Sequence, residues 1–367
     1  MANILSIAPY KFMKPKNGGH WGVYFIDEIL SIHNKVHTLS VADNEPFAAS
    51  FQPLNILSPG KSRYLPYAIY ATIVAEAKKV KAEYIFCHHP YLVPAAKKAA
   101  KKLGIPLYIR SHNIESERFK SMGKWWWPVM SWFEKTAYRK ADKMFFISDE
   151  DAEWGIRHYG ISPEKIAILP FPSSIKGLSA VAQSKQEVAA ANKLDPDATW
   201  LVFMGDLKYL PNDDAVKHII EEVYPRLEKQ LDHFQILICG KGLSEKHQDA
   251  INALPHIKAT GFVEDLNAVL YHAQVMINPL VLGAGVKTKV VESLAWNLYV
   301  VSTHNGAVGI KKEVCGDKLT VVADNDWDGF AKAVVAKARM AKTDIPDDFF
   351  TFYYSGNIAD NIQHFFQ

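Results

Sequence analysis

The stretch GAGVKTKVVE, residues 283–292, combines two glycines, two lysines and one glutamate at the start of an expected helix. Glycines before a helix leave backbone N–H groups free to face an anion, and the helix dipole adds to the attraction. Lys287, expected in the first turn of that helix, would oppose the dipole unless a bound phosphate cancelled its charge. The stretch therefore indicates an anion site, and the alternative is a tight turn with a solvent-exposed lysine.

Glu292 is expected about one and a half turns into the same helix, beside the apolar residues Val290, Val291, Leu294 and Ala295. A carboxylate in such a setting needs a partner. A ribose diol could provide one, because a carboxylate accepts hydrogen bonds from both hydroxyls. An ion pair with a nearby lysine is the alternative.

Short apolar strands alternate with helices on both sides of a central break, which predicts parallel βαβ units. The break, residues 173–198, is rich in Pro, Ser, Ala and Gln and predicts a linker. We therefore expect an α/β fold with two tandem Rossmann-like domains, 1–172 and 199–345, that face each other across a cleft. A C-terminal helix, 346–367, is expected to pack back on the first domain. Sheets of this type bind ligands outside the carboxyl ends of their strands, so we expect the site in the cleft.

The bulk composition is that of a globular protein. Of the 367 residues 49% are hydrophobic, 22% are charged, and no window approaches the length of a membrane-spanning helix. The three cysteines lie far apart, which argues against a zinc site or disulfide framework and favours the cytoplasm. Residues 1–175 carry 23 Lys and Arg against 15 Asp and Glu, whereas the remainder carries 19 against 24. This asymmetry suggests a binding partner or, alternatively, solvated lysine-rich helix faces, and the spread of the basic residues argues against nucleic acid.

Several motifs follow one another in a recognisable order. GDLKYLPNDDA (205–215), GFVEDL (261–266), NPLVLGAGVKTKVVESLA (278–295) and VVSTHNGAVGI (300–310) lie in the second half. NGGH (17–20), SHNIESER (111–118) and FFISDEDAEW (145–154) lie in the first. Together they resemble the family 4 glycosyltransferases, which are retaining enzymes of the GT-B fold. The resemblance implies sugar transfer from a UDP- or GDP-linked donor to a saccharide or lipid-linked saccharide, in surface polysaccharide or glycoconjugate synthesis.

The resemblance also assigns roles to matching residues. Glu292 matches the second glutamate of the family's Glu-x7-Glu pair, which holds the ribose, and Val263 matches the position whose main chain reads the base. His112 matches a histidine near the donor sugar and the scissile bond, and it would be catalytic together with Lys287 and Glu292. The remaining matches would bind the donor diphosphate and sugar: Gly18, Gly19, Gly205, Lys208, Gly283, Ala284, Gly285, Val286 and Lys289.

Three positions depart from the family pattern. Ala284 stands eight positions before Glu292, where the first glutamate of the pair, which holds donor-sugar hydroxyls in many members of the family, is expected. Asp206 replaces a common arginine, and Asn212 stands near the usual lysine.

The charge of the leaving diphosphate still needs a cation. We expect Lys287 to supply it, with Lys208 or Lys289 as alternatives. The pair Asp324 and Asp326 begins a late helix and is interpreted as a cap, not as a metal signature. We therefore expect transfer without metal or other cofactor. The front-face mechanism is implied by the resemblance.

Residues 119–143 concentrate Trp125, Trp126, Trp127 and Trp132 among several lysines and arginines. Indole rings and cations together are typical of a membrane interface. The segment predicts contact of the acceptor-binding domain with an anionic membrane, at the inner face of the cytoplasmic membrane. A contact between copies of the chain and a hydrophobic acceptor pocket are the alternatives.

Three other functions compete with sugar transfer. A nicotinamide-dependent oxidoreductase would need G-x-G-x-x-G after the first strand, which residues 9–22 lack. A nucleotide-sugar epimerase or a phosphorylase would share the GT-B fold. A non-catalytic nucleotide-sugar-binding protein would be consistent with Ala284.

Overall fold

The computed structural model describes residues 1–177 and 181–367 and divides into two compact units. Unit 1 comprises Met1–Pro172 and Thr351–Gln367, and unit 2 comprises Ser173–Phe350. Each unit contains one parallel sheet with helices packed against it, so the predicted α/β class is confirmed.

Unit 1 has a seven-stranded sheet in the order β3-β2-β1-β4-β5-β6-β7. Its strands are β1 Asn3–Ile7, β2 Lys35–Val41, β3 Gln52–Leu57, β4 Tyr84–His88, β5 Leu107–Arg110, β6 Lys143–Phe146 and β7 Ile166–Ile168. Its helices up to the end of the sheet are α1 Gly18–His33, α2 Pro66–Lys79, α3 Val93–Leu103, α4 Glu115–Ser121, α5 Trp127–Tyr138 and α6 Asp149–Trp154. The strand order reverses between β1 and β4. Such a switch point is where open α/β sheets bind ligands, outside the carboxyl ends of the strands.

Apolar residues bury both faces of this sheet. Ile4, Leu5 and Ile7 of β1 are fully buried, as expected for a central parallel strand that reads as a continuous apolar run. The edge strand β3 and the following α2 were not predicted from the sequence. In β3 (QPLNIL) most residues are exposed or half-buried, so this strand lacks the apolar run by which its neighbours were recognised.

Unit 2 has a six-stranded sheet in the order β10-β9-β8-β11-β12-β13. The strands are β8 Thr199–Met204, β9 Phe234–Cys239, β10 Ile257–Gly261, β11 Val275–Asn278, β12 Tyr299–Thr303 and β13 Leu319–Val322. The helices are α7 Lys185–Asn192, α8 Leu210–His218, α9 Tyr224–Leu227, α10 Glu245–Asn252, α11 Leu266–His272, α12 Thr288–Ala295 and α13 Trp327–Arg339. Here the order reverses between β8 and β11, so the loops after these two strands flank the switch point.

The expected linker, residues 173–198, differs from a plain connection. It belongs to unit 2 and contains α7, which begins with a capping box in which Ser184 and Glu187 satisfy each other's backbone N–H groups. Residues 178–180, inside the expected linker, lie outside the described part of the chain.

The C-terminal segment forms two helices, α14 Asp347–Tyr353 and α15 Ser355–Ile362, where one was expected. Helix α15 packs on α1, and Ile358 and Ile362 join the apolar cluster that contains Ile26. His33 Nε2 lies 2.6 Å from Asp360 Oδ1 at the same contact. The end of the chain is thus part of unit 1.

Candidate functional site

The loop between β11 and α12 lies beside the switch point of unit 2. Gly283 and Gly285 adopt left-handed backbone angles, with φ of +91° and +76°. A Cβ on Gly283 would lie 3.0 Å from Cγ of Pro211 in α8, so a side chain there would also meet a neighbour. Within the described chain, no acceptor receives the N–H groups of residues 283–287. The loop therefore presents a row of unpaired donors before a helix, an arrangement that binds anions.

The segment after β12 fixes this loop. Thr303 Oγ1 donates a hydrogen bond to the carbonyl of Leu280, and Asn305 Nδ2 donates to the carbonyl of Leu282 at 2.9 Å. A Cβ on Gly306 would lie 2.9 Å from Thr303 Oγ1, so a glycine is needed at this turn. Polar side chains of the motif VVSTHNGAVGI thus stabilise the conformation of the glycine loop by hydrogen bonds.

Lys287 lies one residue before α12, at its N-cap, and not in the first turn as expected. Its Nζ donates to the carbonyls of Gly285 at 2.6 Å and Gly283 at 3.3 Å. Burial lowers the pKa of Lys287 to about 8. The ammonium group therefore ties the loop together and adds positive charge to it.

Lys289 lies in the first turn of α12. Its Nζ donates to Asn212 Oδ1 at 2.7 Å and lies 4.1 Å from the centre of the Phe203 ring. Burial and, to a smaller extent, the charge of Lys287 lower the pKa of Lys289 to about 7. Asn212, which stands near the family's usual lysine, thus holds a lysine from another helix. Lys208 is exposed and has no carboxylate partner in residues 1–177 or 181–367.

Two glycines allow the turns after β8 and β9 to pack closely. Gly205 has a φ of +157°, and a Cβ on it would lie 2.7 Å from Asn212 Nδ2. Gly240 has a φ of +146°, and a Cβ there would lie 1.8 Å from the carbonyl oxygen of Gly205. Any side chain at either position would displace the turn that carries Lys208.

Glu292 lies on the solvent-facing side of α12, opposite the buried Val290, Val291 and Leu294. The expected apolar setting of its side chain was wrong, because helical spacing separates Glu292 from those neighbours. Its carboxylate forms no hydrogen bond or ion pair with any described residue, so the lysine alternative is not observed. The surrounding protein still desolvates the group enough to raise its pKa. Such a carboxylate is free to accept hydrogen bonds from a ligand.

The turn between β10 and α11 carries Val263. Its side chain is buried, and its N–H has no acceptor in the part of the chain that the structure describes. The adjacent Phe262 is 66% exposed, and Lys241 Nζ lies 4.2 Å from the centre of its ring. A free main-chain donor beside an exposed ring could hold a flat aromatic base. The sequence reading had singled out Val263 but neither Phe262 nor Lys241.

His112 lies just after β5, at the carboxyl edge of the sheet of unit 1, and is half-buried. Its Nε2 lies 2.9 Å from Nδ1 of His88, the last residue of β4. Nε2 of His88 lies 3.0 Å from Oδ1 of Asp27, a fully buried residue of α1. The sequence reading missed Asp27 and His88. The feature of the sequence that could have revealed His88 was the pair HH (88–89) at the end of the strand next to β5.

His89 follows directly and has a φ of +65°, a left-handed conformation that is uncommon outside glycine. Its ring stacks on His112 with centroids 4.4 Å apart, and its Nδ1 lies 3.2 Å from Oε1 of Glu115. Burial alone would raise the pKa of Glu115, but His89 and Arg118 outweigh it and bring this pKa to about 2. Strained residues of this kind cluster at functional sites.

Gly18 and Gly19 are the first two residues of α1, not a separate loop. Asn17 caps the helix by accepting from His20 N at 3.1 Å, whereas the N–H groups of Gly18 and Gly19 have no acceptor among the described residues. Three lysines precede this helix in the chain, and all three form ion pairs with the carboxylate of Glu45: Lys11, Lys14 and Lys16.

The tryptophan segment forms an exposed apolar patch around the start of α5. Trp125 is 87% exposed and Trp132 67%, and Trp126 and Trp127 are half-buried. Lys120 Nζ lies 5.0 Å from the centre of the Trp127 ring. None of the described helices is both long and apolar enough to span a bilayer. Nor do the described residues contain a cluster of three or more His, Cys, Asp or Glu arranged to hold a metal ion.

Comparisons with known sequences match each half of the chain to a glycosyltransferase family model. Residues 33–172 match the family model described as Glycosyltransferase Family 4, and residues 198–338 match the one described as Glycosyl transferases group 1. An uncharacterized 44.6 kDa protein in the cps region of Klebsiella pneumoniae is 24% identical over 276 residues. That match covers 70% of this chain and 65% of the relative, so the chain spans less than two thirds of the relative's length.

Comparisons with solved structures agree with this assignment. A glycosyltransferase of Rickettsia africae has a TM-score of 0.75 at 12% identity, with 100% of this chain and 97% of that chain covered. HepE of Anabaena, solved with UDP-glucose, has a TM-score of 0.69 at 12% identity over 100% and 99%. WaaG, a glycosyltransferase involved in lipopolysaccharide biosynthesis, has a TM-score of 0.64 at 14% identity over 99% and 94%. Identities this low show the fold alone. Together with the family matches they show that the chain belongs to the family 4 glycosyltransferases of the GT-B fold.

Proposed function

We propose that the protein transfers a sugar, with retention of configuration, from a UDP- or GDP-linked donor to a saccharide or lipid-linked saccharide acceptor. The observation that carries this proposal is the row of unpaired N–H groups at residues 283–287, followed by the unpartnered carboxylate of Glu292. HepE was solved with UDP-glucose, which supports a nucleotide-sugar donor. The role of WaaG in lipopolysaccharide biosynthesis supports a surface glycan as the product.

In this proposal the donor lies along the carboxyl edge of the sheet of unit 2. The free N–H groups of the glycine loop bind the diphosphate, with Lys287 and Lys289 as nearby cations. Glu292 accepts hydrogen bonds from the ribose hydroxyls. The N–H of Val263 and the ring of Phe262 bind the base. The N–H groups of the loop and of Val263 and the carboxylate of Glu292 have no competing partner among the described residues.

The proposed reaction needs no protein nucleophile. The bond between the anomeric carbon and the diphosphate oxygen breaks through an oxocarbenium-like state, and its electron pair stays on the leaving diphosphate. The acceptor hydroxyl attacks from the same face, and its proton passes to a departing phosphate oxygen. Backbone N–H groups and lysines stabilise the developing charge, so no metal is required. His112 of unit 1 would contact the donor sugar near the scissile bond.

Ala284 limits the groups of the glycine loop that can recognise the donor sugar. The loop GAGVK contains no carboxylate, so a sugar hydroxyl would meet only backbone groups and the ammonium of Lys287 there. Without a carboxylate, the loop lacks a charged acceptor that could hold two sugar hydroxyls at once, so it should recognise hydroxyl geometry less strictly. We therefore expect the enzyme to use more than one donor sugar.

The acceptor side is proposed to face a membrane. The exposed patch of Trp125 and Trp132, with Lys120 and Lys124 in the same segment, combines indole rings with positive charge. We propose that it rests on the anionic inner face of the cytoplasmic membrane, where a lipid-linked acceptor would be presented.

A panel of UDP- and GDP-sugars, incubated with and without saccharide acceptors, tests the function. We expect release of nucleoside diphosphate, and an anomeric configuration in the product, read by NMR, that equals that of the donor. Inversion of configuration would refute the retaining mechanism. An epimerised nucleotide sugar formed without acceptor would identify an epimerase instead. Binding without turnover would indicate a non-catalytic binding protein. This is the second candidate function, because position 284 carries alanine and not a carboxylate.

A further inference from the structure

A chain of hydrogen bonds runs from the core of unit 1 to the carboxyl edge of its sheet. At its inner end Asp27 is fully buried and receives hydrogen bonds from Ser6 Oγ at 2.8 Å and Thr38 Oγ1 at 2.7 Å. His88 contacts the same carboxylate through Nε2 at 3.0 Å. A carboxylate surrounded by donors accepts at each contact, so the hydrogen of the contact with His88 lies on His88 Nε2.

The next contact follows from the first. Burial lowers the pKa of His88 more than Asp27 raises it, so the ring is neutral near pH 7 and its Nδ1 carries a lone pair. The 2.9 Å contact from His88 Nδ1 to His112 Nε2 then requires the hydrogen on His112 Nε2. Burial, and then the charges of His89 and Arg110, hold the pKa of His112 well below its ordinary value. His112 is therefore also neutral, and its Nδ1 carries no hydrogen.

We infer that Asp27 and His88 are positioning residues that hold His112 in the Nε2–H tautomer, so that His112 Nδ1 accepts a hydrogen bond from a substrate hydroxyl. The assignment of a sugar hydroxyl as the donor rests on the proposed function. The tautomer itself follows from the hydrogen bonds of unit 1 alone.

Gly22 leaves space beside His112 Nδ1, so that this nitrogen is accessible to a ligand. This nitrogen has no hydrogen-bond partner in the described residues, and a Cβ on Gly22 of α1 would lie 3.1 Å from it. Glycine is unfavourable in the interior of a helix, and Gly22 has an ordinary helical backbone. The room that it leaves beside the imidazole provides a reason for its presence.

NMR of the full chain labelled with 15N-histidine tests the tautomer without any substrate. Comparison with His112→Gln and His88→Asn assigns the two rings. We expect both rings to carry hydrogen on Nε2 only, and neither to become doubly protonated between pH 6 and pH 8. A hydrogen on Nδ1 of His112, or a doubly protonated His112 in that range, would overturn the inference.

Kinetics of matched variants test the role. His88→Asn keeps a side-chain oxygen close to the position of His88 Nδ1, whereas His88→Leu removes the acceptor. We expect kcat to fall about tenfold or more in His88→Leu and clearly less in His88→Asn, with the Kd for the nucleotide unchanged in both. Equal kcat in wild type and His88→Leu would contradict a positioning role.

Gly22→Ala provides a variant that should fold. The gain in helix propensity opposes the crowding of His112 Nδ1 by the added methyl group, so Tm should change little while kcat falls. An unchanged kcat in Gly22→Ala would refute the assignment of Nδ1 as the substrate-facing atom. A wild type without any transfer would refute the proposed function, and the NMR result would still decide the tautomer.

Discussion

Replacing Glu292 by glutamine tests the ribose assignment with little effect on the fold. The side chain is exposed, and its carboxylate has no partner among the described residues. We therefore expect the free energy of unfolding to change by less than about 0.5 kcal/mol. A loss of nucleotide affinity in this variant would then come from the ligand contact itself and not from a damaged helix.

The expected loss follows from the chemistry of the contact. A hydrogen bond to a charged group contributes about 1.5–3 kcal/mol, which corresponds to a Kd about 10–150 times higher when the charge is removed. The raised pKa of Glu292 adds a pH signature. Protonation removes the acceptor, so nucleotide affinity of the wild type should fall as the pH drops through this pKa. The affinity of the glutamine variant should not follow that profile.

Isothermal titration calorimetry with UDP, GDP and their 2′-deoxy analogues provides the assay. If Glu292 binds the ribose diol, the wild type should discriminate against the deoxy nucleotide and Glu292→Gln should discriminate less, because the two changes remove the same interaction. Glu221→Gln is the matched control, because Glu221 is also exposed in unit 2 and its ion pair with Lys217 is long, at 3.9 Å. Equal discrimination in Glu292→Gln and wild type would refute the assignment.

Three further predictions concern the loop, its charge and the exposed patch. Gly283→Ala and Gly104→Ala each place a Cβ at positive φ and should each lose about 1–2 kcal/mol of stability in thermal or urea unfolding. Only Gly283→Ala changes the glycine loop, where the added Cβ meets Pro211 of α8, so only this variant should also weaken nucleotide binding. Equal binding by both variants would contradict this. Lys289, whose pKa of about 7 should rise beside a bound phosphate, should take up a proton on nucleotide binding at about pH 8. Affinity should therefore fall from about pH 6.5 to pH 8.5, and calorimetry in buffers of different ionisation enthalpy should show the uptake. The uptake should be smaller in Lys289→Met, in which only Lys287, with a pKa of about 8, remains to gain a proton. Trp125→Ser should reduce flotation with anionic liposomes more than Tyr67→Ser, which removes an aromatic side chain that is 81% exposed elsewhere in unit 1; no flotation of the wild type would refute the membrane contact.

The strand alternation and the family motifs were sufficient to predict the fold class and the family from the sequence. Central strands such as β1 and β8 are apolar throughout because both faces of a parallel sheet are covered, and this makes them visible in the sequence. The edge strand β3 and α2 were missed because half-exposed residues give no such pattern. Local spacing therefore revealed the middle of each sheet better than its edge.

The sites show what spacing along the chain cannot reveal. The setting of Glu292 was misjudged because sequence neighbours on a helix point to different faces. The contact of Lys289 with Asn212 joins residues 77 positions apart, and that of His88 with Asp27 joins residues 61 positions apart. Such pairs are brought together by the strand order of each sheet, which single motifs do not encode. The HH pair and the buried aspartate became meaningful only once β4 and α1 were seen together.

Amide hydrogen exchange of the full chain with and without UDP or GDP tests the central claim most directly. The claim is that the unpaired N–H groups of residues 283–287 bind the donor diphosphate. On saturation with the preferred nucleotide, peptides that cover this loop and the start of α12 should exchange markedly more slowly. Peptides from α2 of unit 1, which packs on α3, should be unaffected. Binding of the nucleotide with no protection at residues 283–287 would contradict the claim.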